Sequence, residues 1–337
     1  MKYLACSAIL AGALLLAGGQ AKSADDSLPN PYQAPIEHWG QLPEGREWGG
    51  VSDEAFDSKG HLWVIERCGG RNCAGSDLAP ILEFDTETAK VLKSFGGGMF
   101  VQPHGIYIDH NDNDNVWVVD QSAEDAKGEQ VWKFTPDGKL LMTLGKAGVK
   151  GEGPDTFNDP TGVVIGRDGD IFILDGHVGK NQTVARIVKF SKDGKFLKTW
   201  GKKDNQPGDL NDPHNLALDR QGRLFVADRG NSRIDIFDQD GNLLDTWKQF
   251  GDPSAVFIDD KDTLYVAQNF LHADAPEFKR GIRIGSAKTG KITGFIEDPD
   301  QDPKQTTLGP ESLKADKNGT IYAGEVDRKE IKKYVLK

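Results

Sequence analysis

Short apolar runs, each led by an aromatic residue, recur along the chain at Trp63-Val-Ile, Trp117-Val-Val, Phe172-Ile-Leu, Phe225-Val-Ala, Tyr265-Val-Ala and Tyr322-Ala. Tight-turn pairs such as Asp168-Gly169, Gln221-Gly222 and Asn318-Gly319 stand just ahead of them. Turn residues between β-branched and aromatic runs predict antiparallel hairpins. A third strand is predicted over Val131–Phe134, Ile187–Phe190 and Ile234–Phe237, and a fourth ends at Leu144-Gly145 or Trp200-Gly201.

The unit that carries these strands repeats. Val101-Gln-Pro-His-Gly-Ile-Tyr-Ile-Asp109 is echoed by segments beginning at Asn158, Asn211, Gly251 and Leu308, with a divergent copy over Gly49–Asp57. Recurrence at this spacing names an architecture more surely than local propensity does. Four strands per unit and six units predict an all-β, six-bladed β-propeller in one domain over residues 25–337. The last copy stops after its third strand, Glu330–Leu336, while Ile36-Glu-His-Trp-Gly40 matches the fourth strand Lys198-Thr-Trp-Gly201. The N-terminal strand is therefore expected to join the last blade and close the ring, which removes open sheet edges.

Residues 1–24 form a predicted signal peptide: Met1-Lys2, an apolar run from Tyr3 to Gly18, then small residues through Ala24. No later stretch approaches the ~20 apolar residues of a membrane span, so a periplasmic or secreted protein is expected, without membrane insertion. After removal of Cys6, Cys68 and Cys73 are the remaining thiols, both in one Gly-rich loop. In an exported protein they predict an intraloop disulfide. A net charge of −11 without basic blocks excludes nucleic acid as a partner. A closed ring leaves no edge that needs covering, so a monomer is expected.

In a propeller the innermost strand of each blade lines the channel, and the residue just before it faces the axis at the rim. Counting back five residues from the residue that closes each inner strand gives Ser52, His104, Thr161, His214, Ser254 and Glu311. The strong ligand types fall on blades two, four and six, and the small hydroxyls on one, three and five. His104, His214 and Glu311 are thus predicted to share one metal ion, Zn²⁺ with an open position or Fe²⁺ as a facial triad. The acidic stretch Asp109–Asn115 lacks the glycine and terminal glutamate of a calcium loop and is read as a hairpin turn.

In these repeats and rim residues the chain resembles NHL-repeat propellers, and in particular the lyases that cleave peptidyl-α-hydroxyglycine to a peptide amide and glyoxylate, six-bladed propellers with a channel zinc. The resemblance implies zinc on histidines of Pro-His turns. Two of these map onto His104 and His214, and the third onto Glu311. It places the catalytic arginine at Arg67, to hold a substrate carboxylate, and puts His177 of Asp175-Gly-His177 where the family has a tyrosine. His177 is read as a general base, or else as a further metal ligand. The family's structural calcium uses an aspartate where this chain has Ser312, so the resemblance is not carried over to Ca²⁺. The resulting expectation is a metal-dependent lyase for a small carboxylate-bearing molecule or peptide. The alternative is a non-catalytic NHL propeller that binds a protein, peptide or glycan in the cell envelope. A calcium lactonase fits less well, because two imidazoles suit Ca²⁺ poorly.

Overall fold

The computed structural model describes residues 24–177, 182–271, 278–302 and 309–337. The predicted signal segment, apart from Ala24, and most of the insert at 271–279 lie outside them. The described strands form six antiparallel sheets, five of four strands and one of three. In each four-stranded sheet the strands follow chain order, as in blade two with Pro103–Asp109, Asn115–Asp120, Gln130–Phe134 and Leu140–Leu144. The protein is a six-bladed β-propeller.

Its apolar interior lies in six seams, one between each pair of neighbouring blades. The second strand of a blade is buried on both faces, and its period-2 alternation sends side chains to two seams. In Asn115–Asp120, Val116 and Val118 pack towards blade one, and Trp117 and Val119 towards blade three. That double burial is why these strands read in sequence as unbroken apolar runs. The seam between blades six and one joins Tyr322 and Ile331 to Val51, Leu62 and Val64, so the toroid is continuous.

The N-terminal segment lies against Glu330–Tyr334 through isolated antiparallel bridges at Tyr32–Leu336 and Ile36–Lys333, not as a continuous fourth strand. Pro29, Pro31 and Pro35 remove ladder donors, and His38 turns the chain through a left-handed φ of 51°. Trp39 still packs edge-on to Tyr322, with ring centroids 4.8 Å apart.

Two side-chain devices recur. The Asp that closes most inner strands caps its own hairpin turn: Asp219 Oδ1 accepts from the backbone N–H of Gln221 and Arg223, and Asp57, Asp259 and Asp316 repeat the pattern. The acid that ends the second strand holds the segment before the rim residue. Asp120 accepts from Val101 and Gln102, Asp175 from Asn158, Asp228 from Asn211 and Glu66 from Gly49.

Burial pushes Asp120 and Asp228 up to about 7 and Asp175 up to about 6, against backbone donors and, for the latter two, arginines that pull down. These folded values exceed the ~3.9 of an unfolded Asp, so the folded state binds more protons between them. The stability they contribute is complete below about pH 4 and is lost as pH rises through 6 to 7. The thermal midpoint is therefore expected to be higher at pH 5 than at pH 8 in calorimetry; a higher midpoint at pH 8 would contradict this.

Candidate metal centre

A β-bulge builds the rim. In blade two Pro103 pairs with Asp120 and Gly105 with Val119, which leaves His104 as the extra residue. The same register shift isolates Ser52, Thr161 and His214 in blades one, three and four. In blade six the amides of Glu311 and Ser312 both point at the Gly324 carbonyl. A bulge re-aims one side chain relative to the pleat, and here it turns the rim residue into the channel. All six rim residues are buried.

His104, His177 and His214 come together at this end of the channel. Their ring centroids are 4.9 Å (His104–His214), 5.0 Å (His104–His177) and 5.1 Å (His177–His214) apart. One ligand nitrogen from each lies within 4.8 Å of the other two. His104 Nε2, His214 Nε2 and His177 Nδ1 are buried without a hydrogen-bond partner among the described residues. Buried orphans of this kind are rare, and three nitrogens facing one point suit a cation with a three-nitrogen donor set. The other ring nitrogens of His104 and His214 meet backbone carbonyls, Nδ1 to Thr161 O at 2.9 Å and Nδ1 to Ser254 O at 2.6 Å. A carbonyl only accepts, so each Nδ1 carries the hydrogen of that contact and Nε2 is the nitrogen placed to ligate.

His177 reaches the group through Gly176, whose φ of +125° belongs to glycine; a Cβ there would fall 2.2 Å from the Val184 carbonyl. Burial first, then Arg229 and His214, holds the His177 pKa well below its usual value; burial and the neighbouring imidazoles do the same for His104. Both rings are neutral at physiological pH, as metal ligation requires.

Glu311 stands beside this group rather than in it. Its Oε1 is 3.0 Å from His214 Nε2, off hydrogen-bond alignment, and its Oε2 accepts from Asn269 Nδ2. The amide anchors the carboxylate on the blade-five side. Burial pushes Glu311 up, but His214, Arg229 and His104 together hold it well below the carboxylate range, so it is ionised. The sequence pairs Glu311 with the two rim histidines as ligands and makes His177 a general base or a further ligand. The structure groups His177 with the two rim histidines and sets Glu311 beside them, 3.0 Å from His214 Nε2.

Arg67 is buried at the same mouth, with Nε unpartnered. Burial lowers its pKa against the raising charge of Glu311, and its own positive charge helps hold His104 and His177 low. The next residue, Cys68, is disulfide-bonded to Cys73, and the Cys73 amide bonds the Val101 carbonyl at 2.7 Å. The loop carrying Arg67 is thereby tied to blade two. Ser52, Thr161 and Ser254 occupy the alternate rim positions but turn their hydroxyls to backbone carbonyls.

Two residues went unread in the sequence. Arg229 follows the second strand of blade four as Arg67 follows that of blade one. Its Nη2 is 3.4 Å from His177 Nε2, its Nε bonds Asp212 at 2.9 Å, and its guanidinium lies 5.2 Å from the Phe270 ring centre. Asn269 follows the second strand of blade five. Extending the repeat register one residue past each second strand would have found both.

An NHL-repeat model matches residues 210–237, the first three strands of blade four. The chain is 31% identical over 215 residues to a probable peptidyl-alpha-hydroxyglycine alpha-amidating lyase of Caenorhabditis elegans, covering 59% of this chain and 58% of that protein. The solved virginiamycin B lyase of Staphylococcus aureus shares the fold, with a TM-score of 0.56 at 16% identity over 91% of this chain and 100% of that one. NHL repeat-containing protein 3 of Homo sapiens is 33% identical over 270 residues, 77% of this chain and 74% of that protein. With the repeat, the blades and this match across most of a relative's length in agreement, the chain belongs to the family of NHL repeat-containing protein 3.

Proposed function

We propose that this protein is an exported metal-dependent lyase of the α-amidating type, acting on a small carboxylate-bearing substrate, a peptidyl-α-hydroxyglycine or a near analogue. The observation that carries the reading is the trio of buried, unpartnered nitrogens on His104, His177 and His214. Three imidazole donors with an open position suit zinc better than iron, whose facial triad takes a carboxylate. When bound, the ion supplies Lewis-acid polarisation of a substrate oxygen, a contribution of several kcal/mol.

The chain's own groups supply the rest. Arg67, buried with a free Nε, would take the substrate carboxylate in the planar, bidentate manner of guanidinium. Glu311, held ionised and steadied by Asn269, would accept the proton of the substrate hydroxyl. Arg229, stacked on Phe270 and paired with Asp212, would hold its positive charge beside the His177 ring. Relatives named as amidating lyases support this reading; the family relative NHL repeat-containing protein 3, whose name carries no activity, supports a second. In that second reading the propeller is a binding module for a protein, peptide or glycan.

Turnover separates the two. Zinc-loaded protein is expected to release glyoxylate from an α-hydroxyglycine derivative. Glu311→Gln is expected to keep the metal but lose about 10²–10⁴-fold in kcat, the usual worth of one positioned proton acceptor. Zinc-loaded wild type that releases no glyoxylate would favour the binding module.

A further inference from the structure

The alternation of ligands and hydroxyls around the rim has a structural counterpart. Ser52 Oγ donates to the Pro103 carbonyl at 2.8 Å and Thr161 Oγ1 to Pro213 at 3.1 Å, while Ser254 Oγ meets Pro310 at 2.9 Å and, in its own blade, Ala267 at 3.1 Å. Each of these prolines stands directly before His104, His214 or Glu311. The chain continues through the rings, because His104 Nδ1 meets the Thr161 carbonyl and His214 Nδ1 the Ser254 carbonyl. Five hydrogen bonds thus run from blade one to blade six, alternately hydroxyl to carbonyl and imidazole to carbonyl.

We infer that Ser52, Thr161 and Ser254 are positioning residues of the metal centre, linked into one relay that sets the backbone before each functional side chain and the tautomer of both rim histidines. The inference rests on the metal-centre reading above. A hydroxyl has one proton to give, and each of these spends it on a carbonyl, so none is free to donate to a substrate. All three side chains are buried. Thr161 is the joint of the relay: its carbonyl anchors His104, while its hydroxyl anchors the residue before His214. Outer partners that orient ligands typically carry 10–100-fold in metal affinity.

This division makes the variants separable. Thr161→Val keeps the carbonyl and the side-chain shape but frees Pro213, so the backbone before His214 loses its hold while the ring contact of His214 to Ser254 and that of His104 to Thr161 remain. Ser254→Ala takes the hydroxyl from Pro310, ahead of Glu311, and from Ala267, and leaves the carbonyl that anchors His214. Zinc affinity, measured by competition with a chromophoric chelator, is expected to fall about 10–100-fold in Thr161→Val. It is expected to return to the wild-type value in Thr161→Ser and to stay there in Ser254→Ala. The visible ligand-field bands of the cobalt(II) protein are expected to shift in Thr161→Val alone, a readout that lost stability would not give. If Thr161→Val fails to fold, Ser52→Ala, which frees Pro103 ahead of His104, is expected to show the same loss. Wild-type affinity and bands in folded Thr161→Val, or an equal loss in Ser254→Ala, would overturn the relay while leaving the metal centre intact. Wild-type protein that binds neither zinc nor cobalt would overturn the metal centre, and the relay with it.

Discussion

His214→Ala is expected to lower metal content from about one ion per chain to a trace, with affinity down by more than the ~10–100-fold that outer partners carry. His214 is the hinge of the cluster, because its ring lies within about 5 Å of both other imidazoles and beside Glu311. Two nitrogens then remain, one short of the three protein ligands of an open zinc site. Stability is expected to change little by comparison. The Ser254 carbonyl loses its ring donor, a cost of about 1–3 kcal/mol, while the six seams are untouched. Elemental analysis beside a melting curve checks both parts. Full metal content in the variant would remove His214 from the site.

Asp175→Ala is expected to cause the largest loss of stability, about 3–5 kcal/mol, the range for breaking a buried ion pair by removing one partner. Asp175 is fully buried, and its Oδ2 bonds Arg186 Nε at 2.9 Å, while Oδ1 takes the Asn158 amide at 2.7 Å. Arg186 in turn donates to the carbonyls of Glu152 and Thr156. Removing the carboxylate leaves a buried guanidinium without its counter-charge and an amide without its acceptor. Asp175→Asn keeps the amide acceptor and is expected to lose less. Denaturant unfolding of the three proteins ranks them, and a loss below about 1 kcal/mol in Asp175→Ala would refute the role given to the pair.

The architecture was legible because it is written six times. Each second strand must face two seams, so its apolar run survives even where the rest of a copy drifts, as in blade one. The rim positions were legible for a related reason: the closing Asp caps a turn of fixed length, so counting back from it lands on the bulged residue. What the repeat could not show was the approach of His177. That residue lies outside the repeat, after Gly176, and its aim depends on a φ that only glycine favours and on the Asp159 carbonyl that accepts from both amides. The position of Glu311 was equally hidden, because Asn269, two strands away in the next blade, draws the carboxylate aside. The hydroxyls at Ser52, Thr161 and Ser254 looked like fillers between ligands, since a hydrogen bond to the neighbouring blade leaves no mark in spacing.

X-ray absorption at the zinc edge tests the central claim most directly. Protein loaded with one zinc is expected to show three imidazole scatterers at Zn–N distances of about 2.0–2.1 Å, the same number in Glu311→Gln, and one fewer in His177→Ala. Two imidazoles with a carboxylate in the wild type, unchanged by His177→Ala and lost in Glu311→Gln, would contradict it.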